Sequence, residues 1–563
     1  MKQSEKLKIG RIVFFVLKKC YKIKAALPIK CKIDSLFLVK EPNMFATGPK
    51  ITLSLKAFKG HLLTIFLLAL LSAYSPISNA QVIAEKAILT GTIDHYDATT
   101  PLSMTMHRLG LSSVTIYPKV NDKGDFYAEI DLYIPTQIWI GYKTNFSVIL
   151  HPRDSLWVSF DGNIDQRSAL LNTVQFAGTA AVTNTQVAQF QRLYYASELY
   201  DQNKNYQAVK NYGPDQYMLF NDTIRQKGKE LYARFINAYA TNEESKKWAL
   251  FESESRYYEN IQFYAMDHKS ANNLGSMDTT FVIPKGFYEK LVNRLPLHID
   301  NLMNTNSILT FSSFFKFYIN EQLRSRDTKD SIWGISPIGE LFAPPAISDS
   351  LVLNSIVDYV TDPLLQEIML SHHFSKRFQH QDFKTYEKFN TIVTKYIKSP
   401  FLRDPLRQEY LATKARVEHP ELNSRAILKD MQSSPIQGVI EDILQANKGK
   451  VIYIDFWATW CAPCLSEFSN SKKIEADFHD KAVSLVYLCL DSDLDKYKAT
   501  VSKYDLGGQH YFLSAKQSAA IRDLFKVGGI PFYLLIDKDG TIRETGSHLR
   551  PLSAKDKINK LLQ

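Results

Sequence analysis

Apolar and polar positions alternate in short runs between about Ala84 and Asn163. Leu89–Ile93, Val114–Tyr117, Phe126–Asp131, Trp139–Tyr142, Phe146–Leu150 and Leu156–Phe160 each carry β-branched or aromatic residues at period two, with turn residues such as Asp122-Lys123-Gly124 between them. Regular short strands of this kind predict a small β-sandwich over 84–163. From about Ala181 to Glu418 the apolar spacing lengthens to three or four residues, as in Val187-Phe190-Leu193-Tyr194 and Tyr232-Phe235-Ile236-Tyr239. That spacing predicts helices. Prolines at 284, 296, 337, 344, 345, 363, 400 and 405 break them into short pieces, giving a helical domain over 181–418 that leads through Ser434-Pro435 into the last segment.

The pattern changes again at Val451–Phe456, a continuous apolar run interrupted only by Asp455, which reads as a buried strand. Trp460-Cys461-Ala462-Pro463-Cys464 follows it, and Leu465-Ser466-Glu467-Phe468 can continue as helix. Two cysteines two residues apart at a strand-to-helix turn have the geometry of a reversible redox dithiol. Cys461 then sits at the helix N-terminus, where unpaired N–H groups and the helix dipole favour a thiolate. Pro463 is tolerated because the first helical turn does not need its N–H. Asp455 lies on the strand six residues before Cys461; a carboxyl on so apolar a strand is desolvated and its pKa raised, which suits a proton acceptor. Trp457 and Trp460 are expected to flank the approach to the dithiol. Further on, Val527-Gly528-Gly529-Ile530-Pro531-Phe532 leads into the apolar run Tyr533–Ile536, and Asp537-Lys538-Asp539-Gly540 turns the chain into a return strand at Thr541-Ile542-Arg543.

These residues together resemble a thioredoxin fold over 436–563. The Phe456–Trp460 lead-in, the Ala-Pro dipeptide and Glu467 are most similar to the envelope thiol-disulfide oxidoreductases related to TlpA and ResA. The expected architecture is therefore multi-domain, with a carboxy-terminal α/β thioredoxin fold preceded by the β-sandwich and a mostly helical domain. The β-sandwich resembles the β-domain that precedes such modules in large envelope proteins. The resemblance implies catalytic roles for Cys461 and Cys464 as a redox-active disulfide, with Asp455 as base for the buried cysteine and Glu467 as a secondary acid. It also implies substrate contacts at Trp460, Ile530 and Pro531, the last at the family's cis-proline site. Reduction of protein disulfides, apocytochromes in cytochrome c maturation among them, is the implied activity, with a membrane thiol relay supplying electrons and no cofactor. Ser469 stands where the family usually has a proline, which puts a local helix kink in question. A disulfide isomerase of the same fold would use the same residues. A third reading is a peptide- or glycan-binding envelope protein with an accessory thioredoxin module.

A zinc site would need a second pair of ligands, and outside the extreme N-terminus only Cys489 remains, in an apolar strand that makes it a small buried hydrophobe. His372, His373 and His380 are irregularly spaced, with Asp382 the one acid close by, and read as surface histidines. No metal is therefore expected.

The charge of +10 does not indicate nucleic acid, because residues 1–80 carry fourteen Lys or Arg against three Asp or Glu and leave the remainder near −1. Within that stretch Lys56 and Lys59 precede the apolar run Leu62–Ala73, and Ser78-Asn79-Ala80 supplies small residues before Gln81. This is the layout of a signal peptide, with Met44 as its start and residues 1–43 an upstream extension. An uncleaved membrane anchor is the alternative. Both readings put the protein in the periplasm or cell envelope, among disulfide-containing envelope proteins. The expectation is a mature chain beginning near Gln81; amino-terminal sequencing of the envelope fraction checks it, and a cytoplasmic protein retaining residues 1–80 contradicts it.

Overall fold

The computed structural model describes residues 83–274, 280–284, 286–288, 334–335, 341–342 and 345–563. The leader segment, Cys20, Cys31, Met44, Pro296, Pro337 and Pro344 lie outside them. Strands β1 (Glu85–Asp94), β2 (Ser103–Met106), β3 (Val114–Ile116), β4 (Asp125–Leu132), β5 (Thr136–Gly141), β6 (Asn145–Leu150), β7 (Ser155–Asp161) and β8 (Gln175–Gly178) form two four-stranded sheets, ordered β4-β1-β7-β8 and β3-β2-β5-β6. Strict alternation along β4, exposed at Asp125, Tyr127, Glu129 and Asp131 and buried at Phe126, Ala128, Ile130 and Leu132, shows why the sheets pack face to face. Leu89, Met104, Ile138, Val148 and Phe160 fill the space between them.

The helical region begins after a single turn, α1 (Arg167–Leu170), with α2 (Ala181–Tyr195), α3 (Gln202–Asn211), α4 (Pro214–Ala238) and α5 (Glu243–Ala271). Beyond a two-residue ribbon, β9 (Gly334–Ile335) and β10 (Leu341–Phe342), come α6 (Pro345–Tyr359), α7 (Pro363–Gln379), α8 (Lys384–Lys388), α9 (Asn390–Tyr396) and α10 (Pro400–Glu418). Pro363 and Pro400 open their helices, where a missing N–H costs nothing. Pro405 does not break the chain as its type suggests. It is buried within α10, early enough that one backbone bond is forfeited, and the helix continues to Glu418. The loop after β2 ties the sandwich to these helices: Leu109 and Leu111 are buried in the helical core. Between them Gly110 turns at φ 58°, and a Cβ there would lie 2.5 Å from the Ile368 carbonyl of α7, so the close approach requires glycine.

The last module is a six-stranded sheet, ordered β11-β14-β13-β12-β15-β16. Its strands are β11 (Ala426–Lys429), β12 (Val451–Trp457), β13 (Val483–Cys489), β14 (Gly508–Phe512), β15 (Phe532–Ile536) and β16 (Ile542–Gly546). The first four run parallel, and β15 and β16 are antiparallel additions. The edge strand β11 comes from before residue 436, so the sheet reaches further back along the chain than the apolar pattern indicates. Helices α11 (Ile436–Ala446) and α14 (Ala515–Phe525) cover one face, and α12 (Ala462–Asp477), α13 (Leu494–Tyr504) and α15 (Pro551–Leu562) the other. The Asp537–Gly540 turn is present as read, with Asp537 Oδ1 accepting from the Asp539 and Thr541 N–H groups and Gly540 at φ 82°.

Candidate active site: a dithiol at the end of a buried strand

All seven residues of β12 are buried. Because successive side chains on a strand point to opposite faces, Ile452, Ile454 and Phe456 enter the layer beneath α11 and α14, while Val451, Tyr453 and Trp457 enter the layer that holds Cys461 and Cys464. Asp455 belongs to the second set. Neither of its carboxyl oxygens has a hydrogen-bond partner among the described residues, and the same is true of Trp457 Nε1 and Tyr533 Oη in that layer. Its neighbours across the sheet are Tyr487 and Tyr533. Burial, reinforced by the negative charge of Glu467, pushes the Asp455 carboxyl well above its ordinary range. Glu467 itself pairs with Arg550 at the start of α15 and accepts from Asn470 Nδ2 at 3.0 Å.

Cys461 is the N-cap of α12, and its sulfur accepts from the Cys464 N–H at 3.2 Å. The two cysteines form a disulfide with Cα atoms 5.3 Å apart, and 3% and 1% of their surfaces are exposed. The turn before them is held from several sides. Cys461 N–H donates to the Ala458 carbonyl at 3.1 Å, Thr459 N–H to Ser492 Oγ at 3.0 Å, and Trp460 Nε1 to the Asp491 carbonyl at 2.9 Å. Trp460 is 53% exposed beside the dithiol. Trp457 does not flank the approach: it is fully buried, edge-on to Phe468 at 5.1 Å, because its place on β12 aims it at α12. Ile530 packs against the layer containing the dithiol, and the Ile530–Pro531 peptide is cis. Ser469 keeps its N–H, and α12 runs unbroken through it. Cys489 is free and buried, and burial pushes its thiol up to about 12.

Residues 449–542 match the thioredoxin-like family. The carboxy-terminal domain is thioredoxin-like. Over 139 residues it is 27% identical to a thiol-disulfide oxidoreductase ResA of Bacillus cereus, covering 25% of this chain and 75% of that protein. ResA of Oceanobacillus iheyensis is 27% identical over 125 residues, 22% of this chain and 60% of the relative, so the chain spans less than two thirds of that protein. Among solved structures, the thioredoxin domain of a thiol-disulfide oxidoreductase from Bacteroides vulgatus is 22% identical, covers 21% of this chain and 84% of that one, and has a TM-score of 0.20. The thioredoxin-like domain is thus related to the ResA-type oxidoreductases, and its Cys461–Cys464 disulfide falls within the matched segment.

Two of the histidines read as surface residues have partners within the fold. His373 bonds Asp349 at 2.9 Å with only 13% of its side chain exposed, and His380 lies against the active-site turn. Ser492, Asp491, Arg550 and His380 have no motif to mark them. Their roles depend on partners distant in sequence.

The buried carboxyl has a measurable consequence. Near pH 2, well below about 3.9, Asp455 is protonated in both the folded and unfolded chains. As the pH rises the unfolded chain releases the proton first, so stability falls until the folded carboxyl titrates as well. Asp455→Asn removes that term. It is expected to stabilise the oxidised protein at pH 7, by about 1 kcal/mol for each pH unit that separates the two pKa values, with the gain vanishing near pH 2. Denaturant melts of the two proteins at both pH values check this.

Proposed function

We propose that this protein is a thiol-disulfide oxidoreductase of the cell envelope that works as a reductase of protein disulfides. The observation that carries the reading is the placement of Cys461 at the α12 N-terminus, bonded to Cys464, in the layer where Asp455 is buried. The relatives' names support the reaction type, and the basic segment followed by an apolar run supports export.

In the reduced protein the Cys461 thiolate attacks one sulfur of a substrate disulfide. That bond breaks, the other substrate sulfur leaves as a thiolate that takes up a proton, and a mixed disulfide forms on Cys461. Asp455 in its ionised form, its proton affinity raised by burial, accepts the Cys464 thiol proton. The Cys464 thiolate attacks Cys461 Sγ, closing the intramolecular disulfide and releasing the second substrate thiolate. Two electrons pass to the substrate, and an external dithiol, read as a membrane thiol relay, must return them. Trp460 and Ile530 border the dithiol and are the substrate contacts in this reading, with Pro531 fixing the loop that carries Ile530. Glu467 acts through Asp455 by favouring its protonated form.

Cys461→Ala is expected to abolish disulfide reduction, Cys464→Ala to accumulate mixed disulfides, and Asp455→Asn to slow release of the mixed disulfide by about 10²-fold, the usual scale of a positioned base. Insulin reduction, with alkylation of the reduced protein and peptide mapping, reads all three. Faster labelling of Cys464 than of Cys461 would reverse the assignment of attacking sulfur.

A further inference from the structure

Helix α7 ends where the three modules meet. Its C-terminal turn is closed by hydrogen bonds: Gln381 takes the left-handed conformation at φ 58°, donates to the Phe378 and Gln379 carbonyls, and accepts from Arg416 of α10. From the sandwich, Ser112 Oγ accepts from Gln379 Nε2 at 3.2 Å. From the thioredoxin-like domain, Lys503 of α13 donates to the Gln379 carbonyl at 3.2 Å, a cation set at the negative end of the helix. The remaining contact falls on the active-site turn, where His380 Nδ1 lies 3.1 Å from the Thr459 carbonyl oxygen.

A carbonyl oxygen only accepts, so Nδ1 must carry the hydrogen. Burial holds the imidazole below its ordinary range, and the positive charges of Lys376, Arg377 and Lys503 add to that, so the ring is neutral at pH 7 and keeps one donor. Thr459 is gripped at both ends, its N–H by Ser492 and its carbonyl by His380. The peptide unit so held leads into exposed Trp460, and Cys461 follows one residue later.

We propose that His380 of the helical region is a positioning residue for the dithiol, fixing the Thr459–Trp460 peptide and through it the approach to Cys461. The inference rests on the thiol-disulfide reading of Cys461 and Cys464. It makes the helical region a working part of the active site and not a spacer. An isolated thioredoxin-like domain would have the same cysteines with the turn held from one side only.

The test compares the full chain with His380→Ala, His380→Asn and His380→Gln. Asn places its amide nitrogen where Nδ1 sits, whereas Gln reaches to the position of Nε2. Two quantities are read: kcat/KM for a peptide disulfide, and the pH profile of iodoacetamide alkylation at Cys461 in the reduced protein. The expected result is a loss of about fivefold in both kcat/KM and neutral-pH alkylation for Ala and Gln, the scale of one neutral hydrogen bond, with the alkylation profile moved to higher pH. Asn should stay within about twofold of the parent. Parent-like values in a folded His380→Ala protein would overturn the proposal, as would an Asn variant as slow as Ala. If the parent chain reduces no disulfide, the proposed function fails, while the alkylation comparison still decides the role of His380.

Discussion

A strand covered on both faces must divide its side chains between two buried layers, and that constraint on β12 organises the site. With Ile454 and Phe456 committed to the layer under α11 and α14, Asp455 has no solvent face to turn to. It enters the layer of Tyr453, Trp457 and the two cysteines, without a hydrogen-bond partner among the described residues. An unpaired buried carboxylate is costly, so burial raises the group's affinity for a proton, and Glu467 strengthens that preference. A position that is poor for stability in this way is what a proton acceptor for a buried thiol requires.

The same few residues place opposite demands on sulfur and on oxygen. Cys461 caps α12, where N–H groups and the helix dipole stabilise a negative sulfur, and the Cys464 N–H already points at it. Cys489 shows what burial does without that help, its thiol pushed up to about 12 at the end of a neighbouring strand. Three cysteines in one domain therefore divide by position into a disulfide pair at a helix N-terminus and a buried free thiol. Trp460 adds an exposed aromatic surface beside the pair, anchored through its indole N–H to the Asp491 carbonyl.

What was legible in the sequence was local. The β12 strand, the cysteine pair with its helix, Asp455 and the Asp537–Gly540 turn are each specified by neighbours within a few residues, and all lie where the pattern indicates. The Trp457 expectation failed although its information was present, since alternation along β12 assigns 453, 455 and 457 to one buried face. Strand β11 escaped because four residues with little burial contrast leave no periodic signal, and its partner β14 lies some eighty residues on. His380 looked like one of three unrelated histidines; its acceptor is 79 residues away, and the packing of α7 on α10 and of α10 on α13 brings the two together.

Whether the 461–464 pair is a working couple or a structural cross-link is decided by its reduction potential. Equilibrating the full chain with glutathione or dithiothreitol redox buffers, trapping the thiols, and fitting the oxidised fraction gives its reduction potential. A working couple is expected to be a reversible two-electron one between about −270 and −120 mV, the span of known dithiols of this fold, and nearer the reducing end. A potential below about −300 mV, the range of inert structural disulfides, would contradict it.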